Sequence, residues 1–165
     1  MKRHIQCTER DRVLDIGCGV GAHARFFGAN YTGIDVNPQY VSVAQKRGVG
    51  DFRVMDATRL SFPEGAYDVA VVVAMFHHLD DGQVKNSLQE AIRVLRPGGR
   101  LHVIDPILPT TGMFKRWIFL HDRGQHRRTF KDLEGLLRSC FPIMNSDTRS
   151  GVLHDVAYFE FVKGN

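Results

Sequence analysis

Apolar and polar positions follow two alternating rhythms along much of the chain. Between residues 11 and 106, short β-branched runs ending at glycine or aspartate are separated by segments with helical spacing, the order that a parallel sheet with crossover helices produces. The runs predict strands over residues 12–16, 31–34, 52–55, 67–73 and 100–104. Asn37 followed by Pro38 predicts a helix start, with Val41 and Ala44 on one face. After Asp80 and Asp81, the residues Val84, Leu88, Ala91, Ile92 and Leu95 share one helical face, and Arg96-Pro97-Gly98-Gly99 stops that helix. Thr129 and Asp132 have the spacing of a capping box, and Leu133, Leu136, Leu137 and Cys140 continue a third helix that ends before Pro142. Residues 155–163 are β-rich and apolar at most positions, which predicts a well-buried strand.

Composition narrows the class. The 165 residues, 43% of them apolar, suit one domain whose core needs no disulfide or metal staples. The longest apolar run, 69–76, is far short of the roughly 20 residues of a membrane helix, and the first residues lack the apolar core of a secretory signal. A soluble, cytoplasmic protein is expected. The 3 cysteines, Cys7, Cys18 and Cys140, lack metal-ligand spacing, so neither a disulfide framework nor a metal site is expected. A formal charge of +4, from 22 basic and 18 acidic residues, is too mild to point to nucleic acid. No linker, repeat or low-complexity tract divides the chain. Residues 1–165 therefore read as one domain with a core at 11–106, an irregular segment at 107–130, and a C-terminal helix with strands at 131–165. Because ligands of open α/β sheets sit beyond the carboxyl ends of the strands, the irregular segment is placed to cover a site.

The first predicted strand runs into Asp15-Ile16-Gly17-Cys18-Gly19-Val20-Gly21, a loop whose glycines permit positive φ and close approach of a ligand to the backbone. With Ala22 it also satisfies a dinucleotide pattern, and Asp35 lies near the distance expected for a ribose contact. Asp15 weighs against a dinucleotide, since a carboxylate beside the loop opposes a pyrophosphate, whereas it suits the ammonium of an amino-acid head group. Asp35 can accept two ribose hydroxyls, and Asp56 can take an exocyclic adenine amine. Aspartates at strand ends also serve as turn formers and helix caps, so each has a structural alternative. Together they fit a nucleoside joined to an amino acid.

These residues resemble the class I S-adenosylmethionine-dependent methyltransferases, specifically the small methyltransferase type 11 group. The resemblance rests on Val13 to Gly21, Gly33-Ile34-Asp35, Asp56-Ala57, Phe62-Pro63, Tyr67-Asp68-Val69, Phe76-His77-His78-Leu79 and Leu95-Arg96-Pro97-Gly98-Gly99. It implies an α/β, Rossmann-like fold with a seven-stranded, mostly parallel sheet and an antiparallel last strand. By position, it implies that Asp15 and the loop of Gly17, Cys18, Gly19 and Gly21 hold the methionine moiety of S-adenosyl-L-methionine. Asp35 would hold the ribose, Val36 would pack on the adenine, and Asp56 with the Ala57 amide would read the adenine edge. The backbone near Ala74 would face the methionine amino group. Family members usually carry a longer helical region before the first strand, so the segment after the fifth strand, or a second copy of the chain in a homo-oligomer, is expected to cover the acceptor.

Methyl transfer from a sulfonium needs alignment and exclusion of water more than a catalytic side chain. Where an acceptor must lose a proton, the candidate groups are His77, His78, Asp105 and His121, with His126 nearby. Loop fixing or helix capping is the alternative role for His77 and His78, solvent exposure for His121 and His126, and a turn role for Asp105. Lys115, Arg116, Arg123, Arg127, Arg128 and Lys131 cluster beside Phe114, Trp117, Ile118, Phe119 and Leu120, which suits an amphipathic acceptor, a peripheral membrane contact or a solvated basic face. The chain lacks the Asn/Asp-Pro-Pro-aromatic phrase of base amine methylation and a Pro-Cys after the fourth strand, which counts against nucleic acid. Transfer to a small or amphipathic metabolite is the leading expectation. A non-catalytic, cofactor-binding partner subunit and a nicotinamide-dependent oxidoreductase are the alternatives.

Overall fold

The computed structural model describes residue 5 and residues 7–109, 125–151 and 155–164. In chain order its elements are β1 (Val13–Ile16), β2 (Tyr31–Asp35), α1 (Pro38–Lys46), β3 (Asp51–Val54), β4 (Tyr67–Val73), α2 (Asp81–Val94), β5 (Leu95–Ile107), α3 (Phe130–Arg138), β6 (Asn145–Ser150) and β7 (Asp155–Val162). Short 3-10 turns lie at Ala24–Phe26 and Phe76–His78. The seven strands form one sheet in the order β3-β2-β1-β4-β5-β7-β6. β1 to β5 pair in parallel, and β7 runs antiparallel to both β5 and β6.

Local chemistry sets the element ends. Asn37 caps α1 by accepting from the Gln39 amide, with Pro38 in the first turn. Asp80 with Gln83, and Thr129 with Asp132, close reciprocal capping boxes on α2 and α3. β5 begins earlier than the β-branched run suggests, because Leu95 pairs with Tyr67 across a register irregularity before regular pairing resumes at Arg100. Between them, Gly98 donates to Lys163 O and Lys163 donates to Gly99 O, which carries the Pro-Gly-Gly stretch along the sheet. β6 is absent from the predicted elements. Its residues Asn-Ser-Asp-Thr-Arg-Ser show no apolar alternation, and it exists as an edge strand held by backbone pairing to β7.

Strand pleating sorts the core into two layers. Leu14, Ile16, Ala70, Val72, Leu101, Val103, Phe159 and Phe161 face α2 and α3, where Val84, Leu88, Ala91, Ile92, Leu133 and Leu137 complete the larger cluster. Val13, Val69 and Val71 face the other way, onto Tyr31, Phe52, Val41 and Ala44. Each fully buried Leu, Ile or Val contributes roughly 1.5–3 kcal/mol. The parity matters for function, because Asp15 shares the face of Val13 rather than that of Leu14.

Candidate functional site

The chain leaves β1 toward β2 on one side, and later crosses to β4 on the other, so a crevice opens at the carboxyl ends of these strands. A cleft of about 560 Å³ occupies that position. One wall comes from the loop after β1 and the ends of β2 and β3, through Gly17, Gly19, Asp35, Val36, Asp56 and Ala57. Asn37, Tyr40, Met55 and Thr58 extend it. The facing wall comes from the turn after β4 and the start of α2, through Ala74, Met75, His78, Leu79 and Gln83.

Asp35 is braced by the backbone on both sides. Its Oδ2 accepts from the Gly19 amide at 2.9 Å and its Oδ1 from the Asn37 amide at 2.9 Å. A carboxylate oxygen accepts more than one hydrogen bond, so both retain capacity for a ligand. Val36 beside it is 70% exposed, an apolar side chain left without cover. Asp56 Oδ1 accepts from both the amide and the hydroxyl of Thr58 at 2.8 Å, an Asx turn that leaves Oδ2 available. Ala74 adopts φ +52, unusual for a residue with a Cβ, and donates its amide to Ile104 O. Gly19 has φ +53 and open space where a Cβ would project, whereas a Cβ on Gly17 would lie 2.7 Å from Met75 Sδ. Gly17 thus seats the two walls against each other, and Gly19 leaves room.

Several expected residues lie elsewhere. Asp15 is fully buried beneath the loop, off the cleft, with Oδ2 accepting from the Tyr31 hydroxyl at 2.6 Å and His23 Nδ1 4.0 Å away. It sits within β1, ahead of Ile16 and paired with Gly33, so the structure does not place it against a head group in the cleft. Burial pushes its pKa up to about 7, against the opposing hydrogen bond from Tyr31. Cys18 is buried, and burial with Asp15 and Asp35 nearby pushes its thiol up to about 12, which keeps it protonated. Gly21 packs against Phe52 and Ala44 rather than lining the cleft.

Of the candidate proton-transfer groups, His78 lines the cleft. His77 and Asp105 are buried behind it, with His77 Nδ1 3.3 Å from Asp105 Oδ1. His121, together with Lys115, Arg116 and Arg123 of the basic cluster, lies outside the described residues. Leu79 belongs to the Phe76-His77-His78-Leu79 phrase, whereas Tyr40, Met55, Thr58, Met75 and Gln83 are cleft residues that the motifs did not single out. The Asp56-x-Thr58 spacing of an Asx turn was a usable signal for Thr58, and the other four carry none at the level of sequence.

Residues 14–103 match the family model described as "Methyltransferase domain". The 2-methyl-6-phytyl-1,4-hydroquinone methyltransferase of Synechocystis sp. is 42% identical over 101 residues, covering 56% of this chain and 31% of that protein. The 27-O-demethylrifamycin SV methyltransferase of Amycolatopsis mediterranei is 39% identical over 109 residues, covering 59% and 39%. The demethylmenaquinone methyltransferase of Thermus thermophilus is 34% identical over 113 residues, covering 62% and 50%. The aligned stretch thus spans half or less of these relatives. Among solved structures, a SAM-dependent methyltransferase from Methanosarcina mazei superposes with a TM-score of 0.78 at 24% identity, over 99% of this chain and 96% of that one. YcgJ from Bacillus subtilis superposes with a TM-score of 0.75 at 18% identity, again over 99% and 96%. Since the family match covers more than half of the residues, the chain belongs to the class I S-adenosylmethionine-dependent methyltransferases, and the solved structures share its fold.

Proposed function

We propose that this domain transfers a methyl group from S-adenosylmethionine to a small or amphipathic metabolite by in-line displacement. When bound, the cofactor supplies a methyl group on a positively charged sulfur, already activated for transfer. The residues of the cleft suit that molecule. Asp35, with both oxygens aimed by the Gly19 and Asn37 amides, is the acceptor for paired ribose hydroxyls, and this braced carboxylate is the observation that carries the reading. Val36 offers the apolar surface for the adenine ring, while Asp56 and the Ala57 amide serve its polar edge. The open volume at Gly19 and the left-handed Ala74 suit the amino-acid end.

The facing wall then orients the acceptor and excludes water. Met75 and Leu79 give it an apolar character, and His78 is placed to receive a proton from a hydroxyl or carbon acid where the acceptor must lose one. Relatives named for a phytyl hydroquinone, a demethylmenaquinone and a demethylrifamycin favour an amphipathic acceptor. Residues 11–106 would form the cofactor core and 107–130 the acceptor cover, within one domain over 1–165.

Calorimetry with S-adenosylmethionine tests the cofactor role. Charge-assisted hydrogen bonds of roughly 1.5–3 kcal/mol imply that Asp35→Ala weakens binding about tenfold or more. Unchanged affinity rejects the assignment. Formation of S-adenosylhomocysteine in the presence of hydroquinones of increasing chain length tests the acceptor class, and no turnover with any of them removes it.

A further inference from the structure

The turn after β4 supplies most of one cleft wall, yet little of its own sequence explains why it holds its shape. It leaves β4 through the strained Ala74 and makes one 3-10 turn at Phe76–His78, whose internal bonds satisfy only the His78 and Leu79 amides. Several other polar groups of this backbone are taken by residues distant in sequence. Asp105 Oδ1, buried at the end of β5, accepts from the Phe76 amide at 3.0 Å and lies 3.3 Å from His77 Nδ1. On the other side, Arg128 Nη1 donates to Phe76 O at 2.9 Å and Nη2 donates to Leu79 O at 2.8 Å. The His126 amide takes His77 O between them at 3.0 Å.

We propose that Asp105 and Arg128 are positioning residues, a two-sided clamp that sets the cleft wall bearing Met75, His78 and Leu79 at the methyl-transfer end of the site. A planar guanidinium is suited to this task because its two terminal nitrogens span two carbonyls that a point donor cannot span together. The Arg128 side chain is only 10% exposed, and its pairing with the exposed Asp81 leaves the carbonyl contacts intact. The Leu108 amide donates to Arg128 O, so the clamp is itself anchored to the strand end that carries Asp105. The opposite wall, with Asp35 and Val36, makes no use of either residue. The clamp should therefore govern the sulfur end of the ligand and leave the nucleoside end alone.

The inference rests on the cofactor reading above, and a ligand-free measurement keeps the two separable. In Arg128→Met, hydrogen exchange of the amides at 76–79 is expected to accelerate at least about tenfold, with β1 to β3 unchanged. S-adenosylhomocysteine, which spans both walls, is expected to bind about tenfold more weakly, while adenosine, which rests on the Asp35 wall, stays within about twofold. Arg128→Lys should fall between, and Asp81→Asn should match the parent protein. Unaltered exchange at 76–79 overturns the clamp, as does equal weakening of both ligands or full function in Arg128→Lys. If the parent protein binds neither ligand, the cofactor reading falls, and the exchange result alone decides whether the clamp exists. Should Arg128→Met fail to fold, the Lys variant carries the same comparison.

Discussion

A fully buried carboxyl group with one oxygen left without a hydrogen-bond partner among the described residues favours its protonated form, although the Tyr31 hydroxyl on the other oxygen opposes this. Burial raises Asp15 from 3.8 to about 7. Below about pH 4 the group is neutral in both folded and unfolded chains. Between there and pH 7 the folded protein holds a proton that the unfolded chain has released, so stability falls as pH rises and the loss is complete above pH 7. Asp15→Asn removes this dependence. In ligand-free urea titrations, the variant should gain on the parent protein by roughly 3 kcal/mol between pH 4.5 and 7.5, at about 1.4 kcal/mol per pH unit. Gly19 gives a second expectation at this scale. Gly19→Ala and Gly48→Ala both place a Cβ at positive φ with open space around it, so each should cost roughly 1–2 kcal/mol. Only the Gly19 variant should also lose affinity for S-adenosylhomocysteine, because only Gly19 borders the cleft.

At the scale of elements, single polar side chains tie distant segments together. Asp68, in β4, accepts from the amide and guanidinium of Arg12 ahead of β1 and pairs with Arg96 after α2. Burial would raise its pKa, but Arg12 and Arg96 outweigh that and hold it at about 2. The stabilisation is therefore present above about pH 4 and is lost as pH falls toward 2. Asp68→Asn should cost roughly 2 kcal/mol at pH 7 and well under about 1 kcal/mol by pH 2, read from urea midpoints at each pH. The cap on α3 offers a comparison. Thr129→Ala should cost about 1 kcal/mol at pH 7 and less near pH 2, because its hydroxyl also donates to the Asp132 carboxylate and lowers that group's pKa.

Over the whole molecule, ligand and fold are linked. S-adenosylhomocysteine at about 100 times its dissociation constant should add roughly 2.7 kcal/mol, a rise of about 5–10 °C in the melting temperature of a domain this size. Asp35→Ala, binding about tenfold more weakly, should keep no more than about half of that rise at the same concentration. Five parallel strands, three capped helices and the apolar tail strand were legible in the sequence because periodicity, caps and the glycine loop are local signals. β6 was not, since its polar residues satisfy no burial pattern and it forms only where β7 offers an edge. The sequence by itself determined a glycine loop after the first strand and aspartates closing the first, second and third. Only the tertiary structure decided which of them reach the cleft. Asp35 and Asp56 border it while Asp15 lies beneath the loop, because Asp15 sits within β1 beside Gly33 and binds the Tyr31 hydroxyl, whereas Asp35 ends β2 and Asp56 follows β3. The second wall was likewise a tertiary decision. The backbone groups of that turn find partners in Asp105 and Arg128, and no local pattern encodes a hydrogen bond between residues that far apart along the chain.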